Sequence, residues 1–311
     1  MINVTPQEIN ISADEIDTWY PMIALPCYDR QVTEPFFMSM MKLAMYFKEY
    51  NLRFAVSTLS DSLISRARNQ LVAKFMANPD FTHLLFIDVD LAFNYEDILK
   101  MLWHDKEIVV GAYPIKDINW DKVVANVGKG VPADKLGEKA TRFVVNTVSA
   151  HGSDKVRIDK GALSIYDAGT GFMMIKRSAF ERMFAEYPEL KYNDDTGALK
   201  GAERDNSYAL FNSYVDPVDQ RFLSEDYGFG RYWQKMGGEV WVDPSIQLMH
   251  LGRFEYHGNM IDWLQENTSD ANDTEVSIIK PEPAGKSPIK VAESSFGDLL
   301  DDVDVVEGSD L

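Results

Sequence analysis

Residues 84–93 read LLFIDVDLAF, four apolar side chains followed by two aspartates two positions apart. An apolar run of this length fits a buried strand, and here the strand delivers Asp88 and Asp90 to its exit. Side chains alternate along a strand, so residues two apart are expected on one face. Two carboxylates on one face can hold a hard divalent cation, directly or through water. Mg²⁺ and Mn²⁺ prefer oxygen ligands, and Mg²⁺ is usually held by one or two carboxylates plus substrate phosphates. The plainer alternative is a pair of solvated acids at a strand end.

The segments around this strand set its context. YPMIAL at 20–25 predicts a strand ending at Pro26, and 35–50 has a helical pattern with Pro35 in the first turn. A second strand is predicted over 52–58 and a helix over 62–77, with Ser60, Asp61 and Ser62 as candidate caps. The aspartate-bearing strand follows at 83–88. Asn94 then caps a helix over 95–103, and EIVVG at 107–111 makes a fourth strand. Short apolar strands alternating with helices predict an α/β fold with a mainly parallel sheet covered on both faces, and such sheets bind ligands at the carboxyl ends of their strands. Beyond Pro114 the reading changes. Residues 117–140 read as a long loop rich in Asp, Lys and Gly. Strand-like runs occur at 141–149 and 162–177, with a helix over 178–186. Residues 191–220 read as a polar loop. A helix over 224–236 stops at Gly237-Gly238, and strands follow at 239–242 and 246–250.

The chain has 311 residues and is 45% hydrophobic, enough for one substantial domain. The division expected is an N-terminal extension over 1–17, one domain over 18–266, and an acidic tail over 267–311 rich in Ser, Asp and Pro, of a composition that favours disorder. The net charge is −18; the tail holds 11 acidic and three basic residues, which leaves −10 for the body. An acidic body argues against affinity built on broad phosphate contact along nucleic acid. A metal-and-phosphate site tolerates surrounding carboxylates, because the cation changes the local balance. Cys27 is the only cysteine, so no internal disulfide is available. The first residues lack the basic and apolar regions of a signal peptide, and no apolar run is long enough to span a bilayer. The expectation is a cytoplasmic protein without a membrane partner.

Several motifs now align. Ala24-Leu25-Pro26-Cys27-Tyr28-Asp29-Arg30 closes the first strand. Ala168-Gly169-Thr170-Gly171-Phe172 precedes an apolar strand. Ser224-Glu225-Asp226-Tyr227-Gly228-Phe229 opens a helix, and His250-Leu251-Gly252 follows a strand. With the Asp-Val-Asp of residues 88–90, this series resembles metal-dependent glycosyltransferases of the GT-A type over about residues 18–255. The resemblance implies a Rossmann-like GT-A domain, a nucleoside-diphosphate sugar as donor (UDP-sugar favoured, GDP-sugar next), and Mn²⁺ or Mg²⁺ as cofactor. It implies metal ligands at Asp88, Asp90 and His250. Donor contacts are implied at Pro26, Tyr28, Asp29, Arg30, Arg66, Arg68, Asn69, Asp88, Val89, Tyr113, Gly169, Thr170 and Gly171. The compact form, with its RARN and GAYP segments, is similar to enzymes encoded by tailed bacteriophages, some of which glycosylate hydroxymethylated pyrimidines in DNA. Modified DNA is therefore one acceptor to consider, beside a soluble glycan or a protein, and the compartment would be the host cytoplasm.

The chemistry fits on independent grounds. A leaving nucleoside diphosphate gains negative charge that a bound cation stabilises. A neutral imidazole can supply a nitrogen ligand, although a lone histidine after a strand is often structural. Glu225 and Asp226 at a helix start either complement the helix dipole or act on the acceptor, and Asp226 is the first choice of base. Arg66 and Arg68 are two apart on a helix and do not share a face, so at most one of them is expected at the aspartate pair. Gly169 and Gly171 let backbone approach something closely.

Two other classes compete. An Asp-x-Asp after a strand also resembles the nucleophile motif of haloacid-dehalogenase-type phosphatases, which place it on the first strand rather than the third. A non-catalytic interaction protein would use the tail, where Phe296, Leu299, Leu300 and Val303 lie at i, i+3, i+4 and i+7 among acids and could fold onto a protein partner. No GxxxxGK[ST], GxGxxG, CxxC or GxSxG motif is present.

Overall fold

A computed structural model describes residues 9, 11–147 and 156–268. In chain order the strands are β1 (Pro21–Pro26), β2 (Ala55–Leu59), β3 (His83–Ile87), β4 (Leu91–Ala92), β5 (Ile108–Gly111), β6 (Val145–Thr147) and β7 (Ile158–Asp159). They continue as β8 (Ala162–Ala168), β9 (Phe172–Lys176), β10 (Tyr214–Val215), β11 (Phe222–Leu223), β12 (Val240–Asp243), β13 (Met249–Leu251) and β14 (Glu255–His257). Nine of them form one mixed sheet in the order β2-β1-β3-β9-β5-β12-β8-β6, with β7 paired to β8. β1, β2, β3, β5 and β12 run in a common direction, while β9 lies reversed between β3 and β5 and β8 runs against β12. The fold is α/β, mostly parallel in direction and Rossmann-like.

Alternation of side chains divides the interior into two layers. Met22, Ala24, Leu84 and Phe86 belong to one core, and Ile23, Leu25, Leu85 and Ile87 to the other. The first core is covered by the helices Ile64–Ala77, Arg177–Glu186 and Glu225–Lys235 through Leu71, Val72, Phe75, Phe180, Met183, Phe229 and Trp233. The second is covered by Glu34–Glu49 and Tyr95–His104 through Phe36, Leu43, Phe47, Ile98, Leu99 and Leu102. Both faces of the central strands are therefore apolar, which is why they read as continuous hydrophobic runs.

Most predicted elements form within a few residues of their expected bounds. Several readings change, and residues 191–220, read as a polar loop, hold the short helix Ala202–Asp205 and β10. Residues 117–140 hold the helices Trp120–Gly128 and Leu136–Ala140, the first capped by Asn119, whose side chain accepts from the Lys122 N–H at 3.0 Å. The helix expected from Ser62 begins at Ile64, because Asp61 accepts from the Leu63 N–H and holds the preceding turn open. The N-terminal extension includes a helix, Ala13–Asp17, closed by a capping box between Ser12 and Glu15; Ile9 and Ile11 are buried in the second core. The helix Met260–Thr268 crosses the boundary placed at 266. The apolar stripe at 296–303 lies outside the described residues. Among the described residues no helix is long and apolar enough to cross a membrane.

Candidate functional site

Strand parity carries Asp88 to the same side as Leu84 and Phe86, toward the helix Ile64–Ala77. Arg68 on that helix meets it: Nη2 lies 3.2 Å from Asp88 Oδ1. The same guanidinium donates through Nη1 to the Thr170 carbonyl at 3.2 Å, and its Nε lies 3.5 Å from Glu225 Oε1. Arg68 is buried, so its charge is balanced by these two carboxylates rather than by water. Arg66, two residues away, makes a two-pronged pair with Asp61 on the outer surface.

Asp90 does not share the face of Asp88. β3 ends at Ile87, the next residues turn, and the alternation that would align the two aspartates stops with the strand. Asp90 instead enters the small sheet β14-β13-β4, where His250 pairs with Leu91 and the Leu251 N–H donates to the Asp90 carbonyl. Its carboxylate contacts Lys116 and stands 3.4 Å from His250 Nε2. Burial alone would raise the Asp90 pKa, but the hydrogen bonds from His250 and Lys116 outweigh it and hold the carboxyl below its ordinary value.

The environment of His250 bears on metal binding. Its Nδ1 lies 2.8 Å from the Pro114 carbonyl, which can only accept, so Nδ1 carries a proton. Nε2 faces Asp90, and donating to that carboxylate requires a second ring proton. A carbonyl behind a ligating histidine is the usual orienting contact. Among the described residues no three His, Cys, Asp or Glu side chains are gathered as a ready-made cluster. Asp90 and His250 present an oxygen and a nitrogen 3.4 Å apart, donor types that Mg²⁺ or Mn²⁺ accepts, while Asp88 is engaged by Arg68.

Gly169-Thr170-Gly171 passes under Tyr113. A Cβ on Gly169 would stand 2.2 Å from the Tyr113 hydroxyl oxygen, and one on Gly171 would stand 2.7 Å from Tyr113 Cζ and 2.8 Å from Asp88 Oδ2. The glycines are required by this close packing rather than by a left-handed backbone. The Gly171 N–H donates to the Tyr113 hydroxyl, and the Asp88 N–H donates to the Gly171 carbonyl at 2.8 Å. Burial, with the Asp88 charge second, raises the Tyr113 pKa, so the phenol stays neutral. The Thr170 hydroxyl is fully buried and has no hydrogen-bond partner among the described residues.

Glu225 and Asp226 open the helix Glu225–Lys235 behind the cap Ser224. The Ser224 hydroxyl and the Tyr227 N–H both donate to Asp226 Oδ1. Burial raises the pKa of both carboxyls. For Glu225 the neighbouring Asp226 adds to the rise and Arg68 opposes it; for Asp226 the hydrogen bonds from Ser224 and Tyr227 offset only part.

The remaining predicted residues sit around this centre. Pro26 ends β1, and Tyr28, Asp29 and Arg30 form an exposed turn in which Asp29 and Arg30 have φ of 54° and 57°. The Val89 carbonyl accepts from the N–H and hydroxyl of Thr33, fixing the aspartate turn to the head of the helix Glu34–Glu49. Asn69 is a structural clamp whose amide bonds both the N–H and the carbonyl of Phe211, each at 2.9 Å. Lys116 escapes a sequence reading: it is a common residue type whose role appears only when the distant Asp90 arrives beside it.

A buried ion network lies behind the glycine loop. Asp167 contacts Arg231 at 2.7 Å, and Arg231 Nε lies 3.4 Å from Asp216. It ties β8, the helix Glu225–Lys235 and the β10–β11 hairpin together, and so fixes the two segments that carry Thr170 and Asp226.

No family model matches the chain, and no curated protein does. Among solved structures it is similar to the crystal structure of A197 from STIV, with 12% identity and a TM-score of 0.40 over 85% of this chain and 100% of that one.

Proposed function

We propose that this chain is a glycosyltransferase that binds a nucleoside-diphosphate sugar with Mn²⁺ or Mg²⁺ and transfers the sugar to an acceptor hydroxyl. The observation that carries this reading is the convergence of two sequence-distant acidic segments on Arg68, which lies 3.2 Å from Asp88 and 3.5 Å from Glu225. Asp88, Asp90 and His250 would hold the cation together with the donor's phosphates. When bound, the cation stabilises the charge that develops on the leaving diphosphate. Asp226 takes the acceptor proton, with Ser224 and the Tyr227 N–H fixing the orientation of its carboxylate. Arg68 gives Glu225 and Asp88 a shared counter-charge, and Tyr113 holds the glycine loop against the aspartate turn. The acceptor is a hydroxyl compound; hydroxymethylated DNA, a glycan and a protein are the three to compare.

The test is transfer of labelled sugar from UDP-glucose and GDP-mannose, with Mn²⁺ and with EDTA, to hydroxymethylated DNA, unmodified DNA and a panel of glycans and proteins. The reading expects metal-dependent transfer that Asp226→Asn removes. No transfer with any pair, together with phosphate release from a generic phosphomonoester, would replace it with a hydrolase.

A further inference from the structure

The helix Glu34–Glu49 has two apolar faces. Phe36, Ser39, Leu43 and Phe47 point inward and are buried. On the other side Phe37 is 51% exposed, Met38 37%, Met41 44% and Met45 68%. Positions 34, 38, 41, 45 and 48 follow one another in steps of four and three, the spacing of a seam along which one helix packs on another. A helix that is apolar on both sides suits the inside of an assembly better than an open surface. Three of the four exposed side chains are methionines, which adapt readily to an irregular contact.

The ends of this seam are charged and of opposite sign. Glu34 opens it and Lys48 closes it; both are exposed, and neither has an ion pair among the described residues. The helix holds two Glu and two Lys, so it is neutral within a chain of net charge −18. Two copies of so acidic a chain repel one another over most of their surface, and a charge-balanced face is where that repulsion is least.

We infer that two copies of this chain pair through their Glu34–Glu49 helices, antiparallel about a twofold axis at Met41. That operation sets Met41 against Met41 of the second copy, Phe37 level with its Met45, and Glu34 level with its Lys48. An acid at one end and a base at the other make the seam complementary to itself when reversed, whereas a parallel pair would set Glu34 against Glu34. One face of a 16-residue helix, about 24 Å long, belongs with weak, reversible contacts of under about 1,200 Å² in total. The dimer is therefore expected to dissociate in the micromolar range. The helix begins beside the candidate site: Thr33, just before it, donates through its N–H and hydroxyl to the Val89 carbonyl, and the Ser39 hydroxyl accepts from the Phe93 N–H at 3.1 Å. Pairing thus braces the aspartate turn from outside. This inference is independent of the transferase reading.

Sedimentation equilibrium of the full chain, run at concentrations on both sides of the micromolar range, tests it. The mass is expected to rise with concentration toward that of two chains. Met41→Glu sets two carboxylates together at the axis and is expected to weaken association by more than about tenfold, with thermal unfolding close to native because Met41 is exposed. Glu34→Lys and Lys48→Glu are each expected to weaken the dimer, and the two together to restore it. A monomer at every concentration would overturn the pairing, and so would a dimer that Met41→Glu leaves intact. Failure of the double exchange to restore association would overturn the antiparallel register. A monomer that binds phosphatidylcholine vesicles, and loses that binding in Met41→Glu, would give this face to a membrane instead.

Discussion

The guanidinium of Arg68 stands 3.2 Å from the carboxylate of Asp88, and this contact joins the exit of the central strand to the helix beside it. The same side chain reaches Glu225, so one buried cation spans the two acidic segments of the candidate site. Removing it leaves two partly buried carboxylates without their shared counter-charge. Arg68→Met is expected to cost about 3 kcal/mol, the lower end for a broken buried pair because Asp88 keeps some solvent contact. Arg66→Met breaks an outward pair with Asp61 and is expected to cost less than about 1 kcal/mol. Urea unfolding of the two variants measures the contrast; equal losses would mean that Arg68 is not the linking charge.

The glycine loop makes a steric prediction. Gly169→Ala places a methyl against the Tyr113 hydroxyl and is expected to destabilise by about 1–3 kcal/mol. Tyr113→Phe removes the oxygen that the methyl meets, so the double variant is expected to recover part of the loss. A double-mutant cycle measures this coupling, and strictly additive effects would show that the clash is relieved elsewhere.

Stability should respond to pH through His83, at the start of β3. Burial, with Lys176 second, lowers its pKa from 6.5 to about 4. In the fold the ring stays neutral where the unfolded chain takes up a proton. The His83 contribution is therefore fully present above about pH 6.5, is lost as pH falls toward about 4, and then levels off, with a slope approaching about 1.4 kcal/mol per pH unit within that window. Unfolding curves at several pH values check this. His83→Gln is expected to flatten the slope, and an unchanged slope would assign the pH dependence to other groups.

Asp226 gives a separate acid limb. Burial raises its pKa, and the ionised form is the one that accepts a proton. Transfer should fall on acidification through an apparent pKa above the ordinary carboxylate range, belonging to the Glu225–Asp226 pair jointly. Asp226→Asn should leave donor binding intact and remove transfer. Loss of donor binding in that variant would place Asp226 on the donor instead.

Much of the fold is legible from local chemistry. HLLFI, IVVG and FMMIK are apolar on both faces because helices cover both sides of the sheet, and that condition is visible in the sequence itself. The helix at Trp120 is harder to see, because its apolar residues face outward and give no sign of a core contact. The arrangement of the aspartates is less legible still. Period-two alternation predicts Asp88 and Asp90 side by side, but the strand stops at Ile87, and a turn sends one to Arg68 and the other to His250. Where a strand ends depends on long-range pairing, here β4 with β13, and no short window of sequence contains that information. The role of Lys116 shares this origin.

The central claim is that Asp88 and Asp90 bind a cation together with a nucleoside diphosphate. Its most direct test is thermal-shift titration of the full chain with UDP-glucose and GDP-mannose, in Mn²⁺ and then in EDTA, repeated on Asp88→Asn and Asp90→Asn. The account predicts stabilisation by one nucleotide class that requires Mn²⁺ and vanishes in both folded variants. Stabilisation that survives EDTA or either substitution, or none at all in the folded native protein with metal present, would contradict it.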